Sequence, residues 1–372
     1  MQINIEDRRL QPILQKVHAG ERLSYEDGLA LFRSHDILAV GYMANLVRER
    51  KHGSVTWFNV NRHINPTDVC VASCKLCAFG KHAKDPKAYT WSLEEVWHRA
   101  GVGWTEAVTE FHIVGGLHPE LTLDWYCEML RGLKQRFPEV HLKAFTMVEI
   151  SFLARRSKTS IRETLVKLKD AGMDSLPGGG AEIFNERVRR IICDHKIDGQ
   201  EWLDVAREAH QVGLKSNCTM LYGHIENEED RVHHLVKLRE LQDETGGFQT
   251  FIPLAFHPAN TALEHISTTT GMLDIKMIAV SRLMLDNIDH IKAYWVMMTP
   301  PMAQIALRFG ADDLDGTVVE EKIYHDAGST VSQSLRRGEL LRLIREAGRE
   351  PMERDTLYRP VTRTETAFTV LV

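Results

Sequence analysis

The chain has 372 residues, 43% of them apolar and 26% charged, with a formal net charge of −5. That composition supports a large core and excludes a disordered chain, and the small charge, with no long block of one sign, argues against a nucleic-acid footprint. The first seventeen residues read as a polar helix and no stretch of about 18 apolar residues occurs, so the expectation is a soluble cytoplasmic protein with neither membrane nor nucleic-acid partners.

Residues 1–50 carry helical periodicity at Leu29, Leu31, Phe32, Ile37 and Leu38 and predict an N-terminal helical extension. From residue 51 the pattern alternates. Runs rich in β-formers fall at 55–64, 110–116, 140–146, 173–179, 215–223, 249–256, 288–295 and 311–318. Amphipathic stretches fall between them at 121–137, 160–172, 199–213 and 227–246, several closing on glycine as helix C-termini often do. Eight strands alternating with helices predict an α/β chain whose parallel sheet closes as a (βα)8 TIM-type barrel over 51–320, with an open doubly wound sheet as the alternative. Residues 321–372 predict a C-terminal extension packed on the barrel, one helix followed by a polar segment.

Half of the six cysteines crowd into "DVCVASCKLCAFG", residues 68–80, with the spacing Cys70-x3-Cys74-x2-Cys77 directly after the first predicted strand. A secreted disulfide framework belongs to short cysteine-dense chains, so this distribution favours metal binding. Three thiolates can hold three irons of a cubane cluster and leave the fourth iron open for chemistry. Structural zinc would need a fourth ligand, for which only His63 and His82 are near. Lys75 and Lys81 in the same loop argue against three cysteines that merely fill a core. Cys127, Cys193 and Cys218 are isolated and read as core or surface residues.

Other strand ends carry weaker signals. Gly115 and Gly116 in "HIVGGLHPE" fit either a tight turn or a close backbone approach to a ligand. Glu182 in "PGGGAEIF" fits either a carboxylate that accepts two ribose hydroxyls or a helix-start glutamate favoured by the dipole. Arg282, within a helical pattern, reads as one side of an ordinary ion pair.

The cysteine spacing resembles the signature of the radical S-adenosylmethionine (SAM) superfamily. Within it, "NVNRHINPTDVCVASCKLCAFG", "GGLHPEL", "HLKAFTMVEI", "LPGGGAEIF", "KSNCTMLYGHIE", "LAFHPANT" and "DDLDGTV" look like the aminofutalosine synthases of menaquinone biosynthesis. The likeness runs from about residue 58 to 318 and reaches the tail at "EAGREPMERDTLY". It implies a [4Fe-4S] cluster on Cys70, Cys74 and Cys77, with SAM chelated at the open iron. It further implies that the backbone of Gly115 and Gly116 meets the methionine amino group, Glu182 the ribose, and Gly223 and Ile225 the adenine. Leu76 stands where relatives carry an aromatic residue, which leaves the sheltering of cluster and adenine to Phe79 or another side chain.

The implied reaction is a transfer that consumes SAM: the 5′-deoxyadenosyl radical adds to 3-[(1-carboxyvinyl)oxy]benzoate, the aryl group migrates, and the carboxylate is lost to give 6-amino-6-deoxyfutalosine. Two carboxylates on that substrate call for cations or donors, with Arg62, His63, His118, His224, His257 and Lys292 as candidates. His63, His118 and His257 are the expected catalytic histidines, and Glu149 is expected to move a proton. A flavodoxin or ferredoxin is the expected electron donor, and a homodimer stays open. Rival readings are a hydrogen-abstracting relative, either cyclic dehypoxanthine futalosine synthase or a deazaflavin synthase, and more remotely a non-catalytic metal-binding protein.

Overall fold

The structure, a computed structural model, describes residues 4–103, 107–364 and 367–371. The first three residues of the expected N-terminal helix therefore lie outside the described residues. Three helices lead in, α1 (Gln11–Ala19), α2 (Tyr25–Arg33) and α3 (Ile37–His52). Strands follow as β1 (Val55–Asn59), β2 (Asn61–Ile64), β3 (Glu110–Ile113), β4 (His141–Ala144), β5 (Ser175–Leu176), β6 (Lys215–Tyr222), β7 (Phe248–Ala255), β8 (His290–Ile291), β9 (Asp313–Gly316) and β10 (Glu350–Glu353).

β2 to β8 form one seven-stranded sheet in chain order, parallel at every step. β9 and the residues just after it join both edges by single parallel bridges, Lys292 to Asp313 on one side and Arg62 to Val319 on the other. Backbone bonds from Ala293 N to Asp313 O (2.8 Å) and from His63 N to Val319 O (2.9 Å) complete the ring. The eighth predicted strand thus closes the barrel, but without a full ladder. Asp315 and Val318 have φ of 65° and 49°, a left-handed backbone that no regular strand tolerates.

The run 55–64, expected as one strand, is two. The chain changes partners at Val60: β1 sits between β9 and β10, whereas β2 pairs with β3. Between the strands lie helices at Leu123–Arg136, Ile161–Asp170, Gly199–Gln211 and Glu228–Thr245, close to the amphipathic stretches read from sequence. Each starts on a side chain that accepts a backbone N–H: Thr122, Ser160, Asp198 and Asn227. Gly246 ends the last of them at φ 59°.

After helix Arg337–Glu346 the expected polar segment is ordered structure, β10 and an antiparallel hairpin of β11 (Val361–Arg363) and β12 (Phe368–Val370). Residues between them seal the base of the barrel. Arg354 is fully buried and bonds Asp313 at 2.7 Å, Thr356 Oγ1 donates to Glu110 at 2.7 Å, and the Tyr358 ring stacks on His290 at 3.5 Å. His290 Nδ1 lies 2.6 Å from Asp312, whose other oxygen accepts Ile291 N–H and the fully buried Arg282 guanidinium. Arg282 is thus the ion-pair residue its helical setting suggested. Among the described residues no helix is long and apolar enough to cross a membrane.

Candidate active site at the barrel mouth

The cysteine loop follows β2 and is held by the Asp68 side chain and by backbone bonds. Asp68 accepts Tyr89 N–H (2.7 Å) and pairs with Lys81 (2.8 Å), while Cys70 N donates to Lys81 O at 2.8 Å. Gly116 is required for this packing: a Cβ there would lie 2.2 Å from the Val69 carbonyl oxygen. Gly80 packs against the same cysteines: its N–H donates to the Cys77 sulfur at 3.3 Å, and a Cβ there would come within 3.1 Å of the Cys70 Cβ.

All three cysteines face one cavity of about 260 Å³ at the C-terminal ends of the strands, the face on which this architecture carries active sites. Burial pushes the Cys74 thiol up to about 12 and raises Cys70, so an apolar wall alone keeps them protonated. A bound cationic centre reverses that and makes thiolates. Among the described residues, the trio of His, Cys, Asp and Glu ligand atoms gathered within 4.8 Å is His52, His290 and Asp312 at the barrel base. Three cysteines line this cavity and, among the described residues, no fourth one does, so the residues present fit an iron–sulfur cube with one iron left open better than the closed four-ligand shell of structural zinc.

Gly115, Gly116, Phe79, Leu76, Glu149 and Glu182 line the same cavity. Glu182 is buried at φ 49° with Lys196 at 2.5 Å. Burial opposes its charge, but Lys196 outweighs burial and holds the carboxyl below its usual range. Glu149 is the acidic half of a capping box for helix Met147–Ser157: one oxygen accepts Thr146 N–H (2.7 Å) and its hydroxyl (2.8 Å), the other accepts Gly115 N–H (3.0 Å). Burial nonetheless raises its pKa to about 7.

His63, His257 and Lys292 also reach the cavity. The His257 Nε2–H donates to Met297 O at 2.8 Å, which turns the other ring nitrogen into an acceptor. Other expected residues do not line it. His118 folds back on its own loop, its Nδ1 accepting from Glu120 N (3.0 Å) and Leu121 N (3.1 Å). Gly223 and Ile225 belong to a turn tied down by Glu226, which accepts from Gly223 N at 2.7 Å; Thr219 and Leu221 of β6 reach the cavity instead. His224 points into that turn, where its Nδ1 accepts Ile225 N–H at 2.8 Å. Arg62 leaves the barrel to pair with Glu320 at 3.0 Å.

His112, Lys196, Asn217, Tyr294, Asp315 and Tyr324 line the cavity and were not singled out from sequence. Strand pairing held one usable signal, since His112 is the register partner of His63 and the two rings stack at 4.4 Å and 4°. Strain gathers here too, at Glu182 and Asp315, as at many ligand sites.

Comparison with known proteins agrees with this geometry. Residues 64–238 match the Radical SAM superfamily and 245–367 the CofH/MqnC C-terminal region. Aminodeoxyfutalosine synthase of Thermus thermophilus is 46% identical over 96% of this chain and 97% of its own length. That of Streptomyces coelicolor is 49% identical over 92% of both chains. A 5-amino-6-(D-ribitylamino)uracil–L-tyrosine 4-hydroxyphenyl transferase of Methanoculleus marisnigri is 41% identical over 94% of this chain and 97% of its own. The crystal structure of methylornithine synthase superposes with a TM-score of 0.72 at 17% identity, over 91% of this chain and 97% of that one, which shows a shared fold. A cavity walled by three cysteines at the mouth of a parallel barrel, together with near-full-length identity of 46–49%, places this chain in the aminodeoxyfutalosine synthase family of radical SAM enzymes.

Proposed function

We propose that this enzyme transfers the 5′-deoxyadenosyl group of SAM to 3-[(1-carboxyvinyl)oxy]benzoate, with aryl migration and loss of the carboxylate, giving 6-amino-6-deoxyfutalosine for menaquinone biosynthesis in the cytoplasm. One observation carries the reading: three cysteines and a carboxylate wall the outer part of a cavity whose inner part is a sealed, polar barrel floor. Cys70, Cys74 and Cys77 would hold a [4Fe-4S] cluster. Bound there and reduced by a flavodoxin or ferredoxin, such a cluster would supply the electron for reductive cleavage of SAM to methionine and a 5′-deoxyadenosyl radical.

The chain's own groups then position and protect. Gly115 and Gly116 bring backbone to the methionine end of SAM, and Phe79 screens the mouth. The free oxygen of Glu182 receives the ribose while Lys196 keeps it ionised. The buried links of Arg354 to Asp313 and Thr356 to Glu110 close the base, so water and stray hydrogen donors are kept from a radical. His63 and His257 face the substrate, and Glu149, near neutral pKa, stands where a proton can be exchanged. His118 lies outside the cavity lining, with its Nδ1 bonded within its own loop.

Anaerobic protein incubated with reductant, SAM and the vinyl ether should yield a product containing both adenosyl and aryl groups. Free 5′-deoxyadenosine with unchanged ether would instead assign the chain a hydrogen-abstracting reaction.

A further inference from the structure

The cavity has two chemically different ends. Its outer end is walled by the cysteine loop, the Gly115–Gly116 turn and Glu182 with Lys196. Its floor is made by side chains of the barrel strands: His63 of β2, His112 of β3, Asn217 of β6, Lys292 just after β8, and Asp315 of β9. Two floor groups have bonding capacity left over. Lys292 is 3% exposed and its ammonium, with three protons to donate, bonds Asp315 Oδ1 at 3.0 Å. Asn217 is 2% exposed, and its Nδ2 has no hydrogen-bond partner. Buried amides are normally satisfied, so an unpartnered one on a cavity wall points to a polar ligand.

We propose that Asn217 and Lys292 form the subsite for the ring carboxylate of the aryl substrate, an inference that rests on the reaction proposed above. The vinyl carbon has to meet C5′ of SAM at the outer end. The ring carboxylate is meta to the ether oxygen, so it projects from the ring on the side away from the vinyl group and reaches inward to the floor. There an ammonium and an amide N–H supply charge-assisted bonds of the kind a carboxylate prefers. The stacked His63 and His112 rings offer a flat wall beside it, and burial keeps both well toward the neutral form, leaving Lys292 as the cation of the floor. Lys143, which bonds Glu110 at 2.8 Å, does not line the cavity.

The test measures binding rather than turnover, by equilibrium dialysis of reconstituted holoenzyme with SAM and no reductant. Asn217→Ala should weaken binding of the vinyl ether roughly tenfold, the loss of one charge-assisted hydrogen bond. Asn217→Asp should weaken it roughly a hundredfold and reverse the wild-type preference, binding the ring-carboxamide analogue better than the carboxylate. SAM affinity should stay within about twofold in both. Asn217→Ser serves the same comparison if the aspartate variant does not fold. Unchanged affinity for the vinyl ether in the alanine or serine variant, or an equal loss of carboxylate and carboxamide binding, overturns the subsite. Tight wild-type binding without an adenosyl adduct on reduction would overturn the proposed reaction while leaving the subsite in place.

Discussion

Two polar clusters lie at opposite ends of one barrel and contain the same kinds of residue. At the base, His52, His290 and Asp312 bring their ligand atoms within 4.8 Å of one another. At the cavity floor, His63, His112, Lys292 and Asp315 gather beneath the cysteine loop. By residue type the base is the more convincing metal centre, yet it is the closed one. His52 Nε2–H donates to Asp289 O at 2.7 Å, His290 bonds Asp312, and Arg282 already supplies the positive charge. Tyr358 from the tail covers the outer ring. At the floor two residues that line the cavity, Lys292 and Asn217, keep donors without partners. Spare bonding capacity next to a cavity, rather than the presence of histidines and carboxylates, separates a site from a structural joint.

The largest expected effect breaks the functional end. Cys74→Ala should abolish the brown absorption of anaerobically reconstituted protein and its bound iron, together with all adduct formation, while the unfolding midpoint of the apoprotein stays near wild type. Full iron content in that variant would end the cluster assignment.

The second breaks the structural end. Arg282→Met leaves Asp312 buried without its cation, a loss of about 3–5 kcal/mol in urea unfolding at neutral pH. Burial alone would raise the Asp312 carboxyl, but His290 and Arg282 outweigh it and hold it far below the usual range. A depressed carboxyl contributes stability above its unfolded pKa of 3.8 and loses it as pH falls toward the folded value. The variant's deficit should therefore shrink on acidification. SAM affinity should be unchanged within about twofold; a loss of affinity without a loss of stability would join the base to the active site.

The smallest sharpens the boundary between the two roles at Glu149, which both caps a helix and lines the cavity. Its pKa is raised from 4.5 to about 7, chiefly by burial. The folded state therefore holds a proton that the unfolded chain releases, and stability falls as pH rises through that window. Glu149→Gln should flatten the fall in melting temperature across it, at a cost of about 1 kcal/mol for the weakened cap. An unaltered slope would mean that the carboxyl is not the titrating group.

Much of this was legible in the primary structure because local physics writes it there. The cysteine spacing defines a three-thiolate loop whatever surrounds it, and the helices announce themselves through Thr122, Ser160, Asp198 and Asn227 as caps and through apolar periodicity. The eight β-rich runs and their helical spacers contain the barrel's order, since parallel neighbours need crossover helices. Other features depend on residues far apart in the chain. Lys196 meets Glu182, His112 meets His63, and Asp315 meets Lys292 only when strands are brought side by side. His118, His224, Gly223 and Ile225 show the converse, for a side chain at a strand end can turn into its own loop as readily as into the barrel, and backbone donors a few residues away decide which. The split of the first strand at Val60 and the strand formed at Glu350–Glu353 were also tertiary outcomes, because β1 exists only by pairing with β9 and β10. Sequence alone determined the cysteine donor set and the order of the barrel strands, which depend on neighbours along the chain. Tertiary structure decided which polar groups were left with an open hydrogen bond, because satisfaction is a property of the whole packed interior.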